Sequence, residues 1–185
     1  MNASSGPELD SGYAAFTAGN YGEARQCFEK ALAIGHSQCA VNLGWLYERG
    51  LGGKKDLDQA VAMYRLAMPT QPALSNYYLG RTFKEMGNSE NALPHLEAAA
   101  ALGNPSAAYW AHAIYSDAGQ TGEAQKFLLL AGELGHVYAQ RDLARSSLSN
   151  ASSIGAWMAS LYKYFKVKAT GVVLVLKNAE DPRVN

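Results

Sequence analysis

Cysteine is scarce in this 185-residue chain, and net charge is absent. Its two cysteines, Cys27 and Cys39, do not make a disulfide framework, and no cysteine or histidine cluster has the spacing of a metal site. Sixteen basic and sixteen acidic residues cancel, which removes the long-range field that would favour nucleic acid as a partner. No nucleophile, base and orienting group form a recognisable catalytic arrangement. We therefore expect no nucleic-acid binding, no metal, no cofactor and no enzymatic activity.

The amino terminus lacks the basic leader and apolar stretch of a secretory signal. Residues 1–7, MNASSGP, are instead typical of a short disordered lead-in. Because cysteine usage also favours a reducing compartment, a cytoplasmic location is expected, with membrane association left open by the far end of the chain.

Four copies of one spacing pattern lie between residues 8 and 148. Each copy has an alanine, a large apolar residue four positions later and a second alanine three positions after that. Units that each present one unburied apolar face become stable by stacking on their neighbours. The pattern predicts an all-α solenoid of helix-turn-helix repeats, with a partial fifth repeat at residues 139–148. The anchors, whose copies are 36, 32 and 32 residues apart, are Ala24, Phe28 and Ala31; Ala60, Tyr64 and Ala67; Ala92, Leu96 and Ala99; and Ala124, Leu128 and Ala131.

A first helix is predicted before each of these second helices. It carries small or apolar residues at i, i+1 and i+4, as at Leu43, Gly44 and Tyr47. A glycine next to the anchor lets the two helices of a hairpin approach closely. Further glycines fall where the helices must stop, namely Gly19, Gly87 and Gly119 after first helices and Gly35, Gly103 and Gly135 after second helices.

Repeat two has a turn about four residues longer than the others, and its sequence is NLGWLYERGLGGKKDLDQAVAMYRLAM. This stretch resembles a Sel-one-like repeat (SLR), a relative of the tetratricopeptide repeat, through Leu43, Gly44, Tyr47, Gly50, Gly52, Asp56, Ala60, Tyr64 and Ala67. The other repeats are closer to tetratricopeptide units, and repeat four departs from both with Ala111 and His112 in place of Leu and Gly. The resemblance implies a right-handed superhelix acting as a non-catalytic scaffold or adaptor, which in bacteria would serve export, envelope or surface-polysaccharide machinery.

In such arrays the first helices line a concave groove, so residues close to each first-helix anchor are expected to face it. Tyrosine, tryptophan and arginine, the side chains most often found as binding hot spots, are frequent there. The alternative is that several of these rings pack between adjacent helices. We predict a groove for a partner peptide or helix, without identifying the partner or the oligomeric state, lined by Tyr13, Val41, Asn42, Trp45, Tyr77, Arg81, Tyr109, Trp110 and Arg141, which we call the groove residues.

The repeat pattern stops before residue 149, and residues 149–178 are apolar and basic. One face of a predicted amphipathic helix carries Ile154, Trp157, Met158, Leu161, Tyr162 and Phe165. Lysines interrupt the apolar stretch, which argues against a membrane span. Two alternatives remain: the face caps the last repeat, or it docks on a membrane surface or a partner helix, which would make this a peripheral membrane protein. Residues 179–185 are expected to form an exposed tail.

Overall fold

The computed structural model describes residues 6–149, 154–156, 158–162, 165–167 and 169. All regular structure within these ranges is helical, which confirms the predicted all-α fold. The lead-in expected at residues 1–7 lies mostly outside them, but a helix already begins at Pro7. The helices are α1 (Pro7–Thr17), α2 (Tyr21–Ala33), α3 (Ala40–Arg49), α4 (Leu57–Ala67), α5 (Pro72–Glu85), α6 (Ser89–Ala101), α7 (Pro105–Asp117), α8 (Thr121–Glu133) and α9 (Val137–Ser149), with a 3-10 turn at Ser37–Cys39.

The helices form antiparallel hairpins, α1 with α2, α3 with α4, α5 with α6 and α7 with α8. They are grouped in two compact units, one at residues 1–102 and one at residues 103–185. The first unit contains three hairpins, and the second contains the fourth hairpin and α9. The four-residue lengthening of the turn in repeat two does not interrupt the hairpin pattern.

The predicted second-helix anchors form the core of each hairpin. Nine anchors from the first three copies are completely buried, and the three from the fourth copy are buried as well. Fully removing a large apolar side chain from water contributes roughly 1.5–3 kcal/mol, so this one pattern supplies much of the stabilisation. Burial on the inner face of every second helix confirms the repeat register read from the sequence.

Glycines on the first helices allow this close packing. A Cβ on Gly44 would lie 2.6 Å from Cε1 of Tyr64, and one on Gly80 would lie 2.5 Å from Cγ of Leu96. Both distances are far below van der Waals contact, so the large anchor of the second helix occupies the space that a side chain would need. In repeat four His112 stands at this position, and its Nδ1 lies 2.8 Å from the carbonyl oxygen of Ala124 on α8. In this hairpin a polar contact between α7 and α8 is made at the position that glycine occupies in repeats two and three.

The long turn of repeat two packs against the preceding hairpin. Gly52 has φ +72°, and a Cβ there would lie 2.3 Å from the carbonyl oxygen of Tyr21 at the start of α2. Arg25 Nη1 donates to the carbonyl of Lys54 at 3.4 Å. Asp56 closes the turn, because its carboxylate accepts from the backbone N–H of Gln59 at 2.9 Å and caps α4. The inserted residues are therefore fixed by repeat one.

Candidate partner-binding site

The groove residues Tyr13 on α1 and Trp45 on α3 each pack against an aromatic ring of the first repeat. Tyr13 packs edge-on against Phe28 with ring centroids 5.2 Å apart, and its hydroxyl donates to the carbonyl of Gln38 at 3.3 Å. Trp45 packs edge-on against Phe16, with ring centroids 5.5 Å apart. Both predicted rings remain partly exposed. Aromatic pairs of this geometry fix the ring orientations, so any partner would meet a preorganised surface.

Trp45 and Val41 bear on the alternative that predicted groove residues pack between adjacent helices instead of facing a partner. Trp45 also contacts the ring of Tyr21 at 6.0 Å and carries Arg49 over its face at 5.7 Å. Val41 is buried at the start of α3 and so offers almost no surface to a partner, whereas its neighbour Asn42 is partly exposed. The apolar Val41 side chain points into the hairpin rather than out of it.

Arg81 lies at the centre of a buried polar network. Its Nε and Nη2 donate to Oε1 of Glu48 at 3.1 and 2.6 Å. The second carboxylate oxygen, Oε2, accepts from the hydroxyl of Tyr64 at 2.6 Å. Glu48 is only 2% exposed, so its charge depends on these partners. A predicted groove residue is thus committed to an internal ion pair that joins α3, α4 and α5.

Aromatic rings surround this network. Tyr78 stacks on Tyr64 with centroids 5.0 Å apart, and the guanidinium of Arg81 lies 5.0 Å from the centroid of Tyr78 and 5.7 Å from that of Tyr77. Burial, followed by the charge of Glu48, raises the pKa of Tyr64 well above its usual value. For Arg81 burial alone would lower the pKa, but Glu48 outweighs it and raises the pKa. Tyr77, like Tyr78 and Arg81, is half-buried, so part of its ring faces outward.

The groove residues of the second unit form a separate aromatic cluster. Tyr109 on α7 stacks on His136 with centroids 4.3 Å apart, and its hydroxyl donates to Oδ2 of Asp142 at 3.0 Å. Arg141 donates from Nε and Nη2 to Oδ1 of the same carboxylate at 3.0 and 2.9 Å, and its guanidinium lies 5.1 Å from the centroid of Tyr138. Trp110, next to Tyr109, is partly exposed.

Histidine protonation in this cluster is disfavoured. Burial lowers the pKa of His136, and the carboxylate of Asp142 partly offsets that effect. A neutral ring is also what the local geometry favours, because Nδ1 of His136 lies 3.4 Å from the backbone N–H of Ala139, from which it accepts. The cluster is therefore held together with a neutral imidazole at its base.

Known proteins share this arrangement of helices. A tetratricopeptide repeat family model matches residues 9–34. The solved structure of a Sel1 repeat protein from Oxalobacter formigenes superposes with a TM-score of 0.71 at 19% identity, covering 88% of this chain and 69% of that one. This chain has the Sel1-like, tetratricopeptide-like repeat fold. The resemblance inferred from the sequence motif is confirmed at that level.

Two further solved structures share the Sel1-like fold with this chain. A protective antigen of uropathogenic Escherichia coli strains displaying an SLR fold superposes with a TM-score of 0.69 at 18% identity, covering 86% of this chain but 37% of that one. A MamA protein superposes with a TM-score of 0.63 at 20% identity, covering 90% of this chain and 91% of that one. No curated protein sequence matches the chain significantly.

The predicted carboxy-terminal face is helical where it is described. Ile154 is 83% exposed and Tyr162 is 70% exposed, and Met158 and Phe165 are exposed as well. These four side chains follow at intervals of four, four and three residues, which places them on one face of a helix. Leu161 is half-buried, and Trp157 lies outside the described residues. Whether this face caps the array or docks elsewhere stays a prediction; the described helices include none long and apolar enough to cross a membrane.

Glu48 is the important residue that sequence reasoning missed. A signal for it exists, because Glu48 follows its first-helix anchor by five residues, a position that Phe16 occupies in repeat one. A carboxylate at a position that packs inward needs a cation, and Arg81 two residues after the next anchor supplies it.

Proposed function

We propose that this protein is a non-catalytic scaffold that binds a peptide or helix of a partner protein along its first helices. The observation that carries the proposal is the set of half-exposed rings on α1, α3 and α5, Tyr13, Trp45 and Tyr77, each oriented by contacts to its own neighbours. Rigid aromatic side chains give large contact area at a small entropic cost, which is what binding hot spots require. A cytoplasmic adaptor of this kind needs no cofactor.

The test compares two double variants of the full chain. Asn42→Ala with Tyr77→Ala removes two groove residues and leaves both members of the Glu48–Arg81 ion pair in place. Ile34→Ala with Leu66→Ala removes exposed apolar side chains, one at the carboxyl end of α2 and one on α4, and serves as the matched control. After crosslinking in cells, a specific partner should be depleted about tenfold or more from the first variant and retained by the control.

Equal recovery of every partner by both variants would sink this proposal. Circular dichroism of both variants shows whether the helices are intact, since a loss caused by unfolding would also appear in the helical signal. Arg81 is unsuitable for the test because its removal leaves the carboxylate of Glu48 buried without a cation.

A second candidate function, docking on a membrane surface, is favoured by one observation, the exposed apolar face of Ile154, Met158, Tyr162 and Phe165. Residues 143–179 contain no acidic side chain, so this apolar face lies in a basic stretch suited to anionic lipid. Sedimentation with phosphatidylserine vesicles, compared between the full chain and the Ile154→Glu/Tyr162→Glu variant, tests it. Binding that is equal for the two proteins, or absent from both, would contradict this candidate.

A further inference from the structure

A fixed correspondence links successive repeats of the first unit. The residue five positions after one first-helix anchor contacts the residue two positions after the next anchor. In repeats one and two these residues are Phe16 and Trp45, whose rings pack at 5.5 Å. In repeats two and three they are Glu48 and Arg81, which form the buried ion pair.

The same register assigns Ser116 on α7 to Arg145 on α9. Ser116 follows the anchor Ala111 by five residues, and Arg145 follows the anchor Leu143 by two. The two helices are neighbours in the second unit, as the 3.0 Å hydrogen bond from Tyr109 to Asp142 shows. By this register Arg145 corresponds to Arg81 and Ser116 to Glu48, so a serine stands at the position where the first unit has the carboxylate.

The third member of the network is missing in the second unit as well. Leu128 occupies the anchor position of Tyr64, so no hydroxyl is present to donate to a carboxylate. Asp142, the one carboxylate on α9, already accepts from Tyr109 and Arg141. Arg145 is exposed and makes no hydrogen bond or ion pair within the described part of the chain. Among the residues that the structure describes, its charge is the one on α9 without a counter-charge.

An exposed aromatic ring lies on the same helix as this arginine, two turns before it. Tyr138 is 51% exposed and is held by the guanidinium of Arg141, which lies one helical turn before Arg145. Tyr138 also contacts His136, whose ring stacks on Tyr109. A ligand that follows α9 therefore meets a fixed aromatic ring and, two turns on, a planar fork of donors.

We infer that this surface binds an acidic segment of the partner protein, with a glutamate or aspartate of the partner taking the place that Glu48 holds beside Arg81. The inference rests on the proposed scaffold function and deepens it by naming the chemistry of the partner. Guanidinium groups recognise carboxylates through charge-assisted hydrogen bonds from two N–H groups, as Nε and Nη2 of Arg81 do toward one oxygen of Glu48 within this chain. Tyr138 suits an apolar side chain next to that carboxylate.

The test uses two fluorescein-labelled peptides and fluorescence anisotropy. One peptide alternates glutamate with leucine and tyrosine, and the other has glutamine at each glutamate. The full chain should bind the glutamate peptide at least about tenfold more tightly than the glutamine peptide, and Arg145→Ala should remove that preference. Equal binding of the two peptides by the full chain would overturn the inference.

A substitution that leaves Arg145 in place provides the sharper test. Ser116→Glu restores the missing internal carboxylate, so it should weaken binding of the glutamate peptide at least about tenfold, whereas Ser116→Gln should leave it unchanged. If Ser116→Glu binds like the unchanged chain, the register argument fails. If Arg145→Ala abolishes binding to phosphatidylserine vesicles and the glutamate peptide does not bind, the anion is a lipid and the inference is wrong.

Failure of the acidic-segment inference and failure of the scaffold proposal give different results. A partner that is lost from the Asn42→Ala/Tyr77→Ala variant but retained by Arg145→Ala keeps the scaffold proposal and overturns the acidic-segment inference. Peptide binding that depends on Arg145, with no partner depleted from the Asn42→Ala/Tyr77→Ala variant, supports the inference while the first-helix rings lose their role.

Discussion

Arg81 and Arg145 occupy the same position in their repeats but have opposite surroundings. Arg81 is held by the carboxylate of Glu48, which in turn accepts from Tyr64. Arg145 is exposed, beside Ser116 in register and Leu128 at the anchor position. One position of a repeat can thus join two hairpins in one unit and remain available to a ligand in the other. The neighbouring repeat decides which, because it either supplies or omits the counter-charge.

Removing the two guanidinium groups gives the largest expected contrast. Arg81→Ala leaves the carboxylate of Glu48 buried without its cation, so we expect the free energy of unfolding to fall by about 3–5 kcal/mol. Arg145→Ala removes an exposed side chain and should change it by no more than about 0.5 kcal/mol. Urea denaturation followed by circular dichroism measures both values. Similar losses in the two variants would show that the surroundings of the arginines do not differ as described.

Removing one hydroxyl measures how much Tyr64 contributes to the stability of the same network. Tyr64→Phe deletes the donor to Oε2 of Glu48, and because that hydrogen bond is buried and charged we expect a loss of about 1.5–3 kcal/mol in the free energy of unfolding. Tyr47→Phe is the matched control, since its hydroxyl donates at 2.9 Å to Glu29, which is exposed. The control should lose less than about 1 kcal/mol. A control as damaging as Tyr64→Phe would contradict the importance of burial.

Adding one methyl group tests the packing next to Tyr64. Gly44→Ala would place a Cβ 2.6 Å from the Tyr64 ring, and overpacking of this kind costs about 1–3 kcal/mol. Gly122→Ala on α8 meets no atom within 4 Å, so its higher helix propensity should stabilise the protein by about 0.5–1 kcal/mol. Thermal unfolding of the two variants should therefore shift in opposite directions. A stabilising Gly44→Ala would show that the α3–α4 hairpin tolerates a wider separation.

Histidine titration gives the smallest and most local contrast. Burial lowers the pKa of both His95 and His136, and the charge of Arg65 lowers that of His95 further, whereas Asp142 partly restores that of His136. Depressed values mean that the contribution of both rings to stability is complete above the unfolded pKa of about 6.5 and declines as the pH falls below it. Asp142→Asn should lower the pKa of His136 and leave that of His95 unchanged in an imidazole NMR titration. A raised His136 pKa in that variant would contradict the assigned cause.

The repeat architecture could be predicted from the sequence because packing imposes a period. Two alanines, four residues before and three residues after a large anchor, recur around Phe28, Tyr64, Leu96 and Leu128. Each of these large anchors is buried as expected. Helix ends were equally readable, since Gly35, Gly103 and Gly135 all adopt positive φ where the second helices stop. These features depend on local sequence and spacing alone.

The use of each first-helix side chain could not be predicted in the same way. Register assigned Trp45 and Arg81 to one surface, but it could not show that Phe16 and Glu48 from the preceding repeat already contact them. Such contacts depend on the distance between successive hairpins, and the first-helix anchors Leu43 and Leu79 of repeats two and three are 36 residues apart, against 32 for Leu79 and Ala111. These contacts can be read from pairs of positions compared across repeats, but not from single positions.

The tight contact between Gly52 and the carbonyl of Tyr21 restricts how this array can evolve or be engineered. Repeat proteins commonly grow by duplicating a unit, and a copied unit folds wherever its neighbours present the same packing surface. The long turn of repeat two, however, needs the bare backbone of Gly52 and the side chain of Arg25 from the repeat before it. Repeats one and two therefore form one structural unit, which would have to be duplicated, transplanted or deleted as a pair.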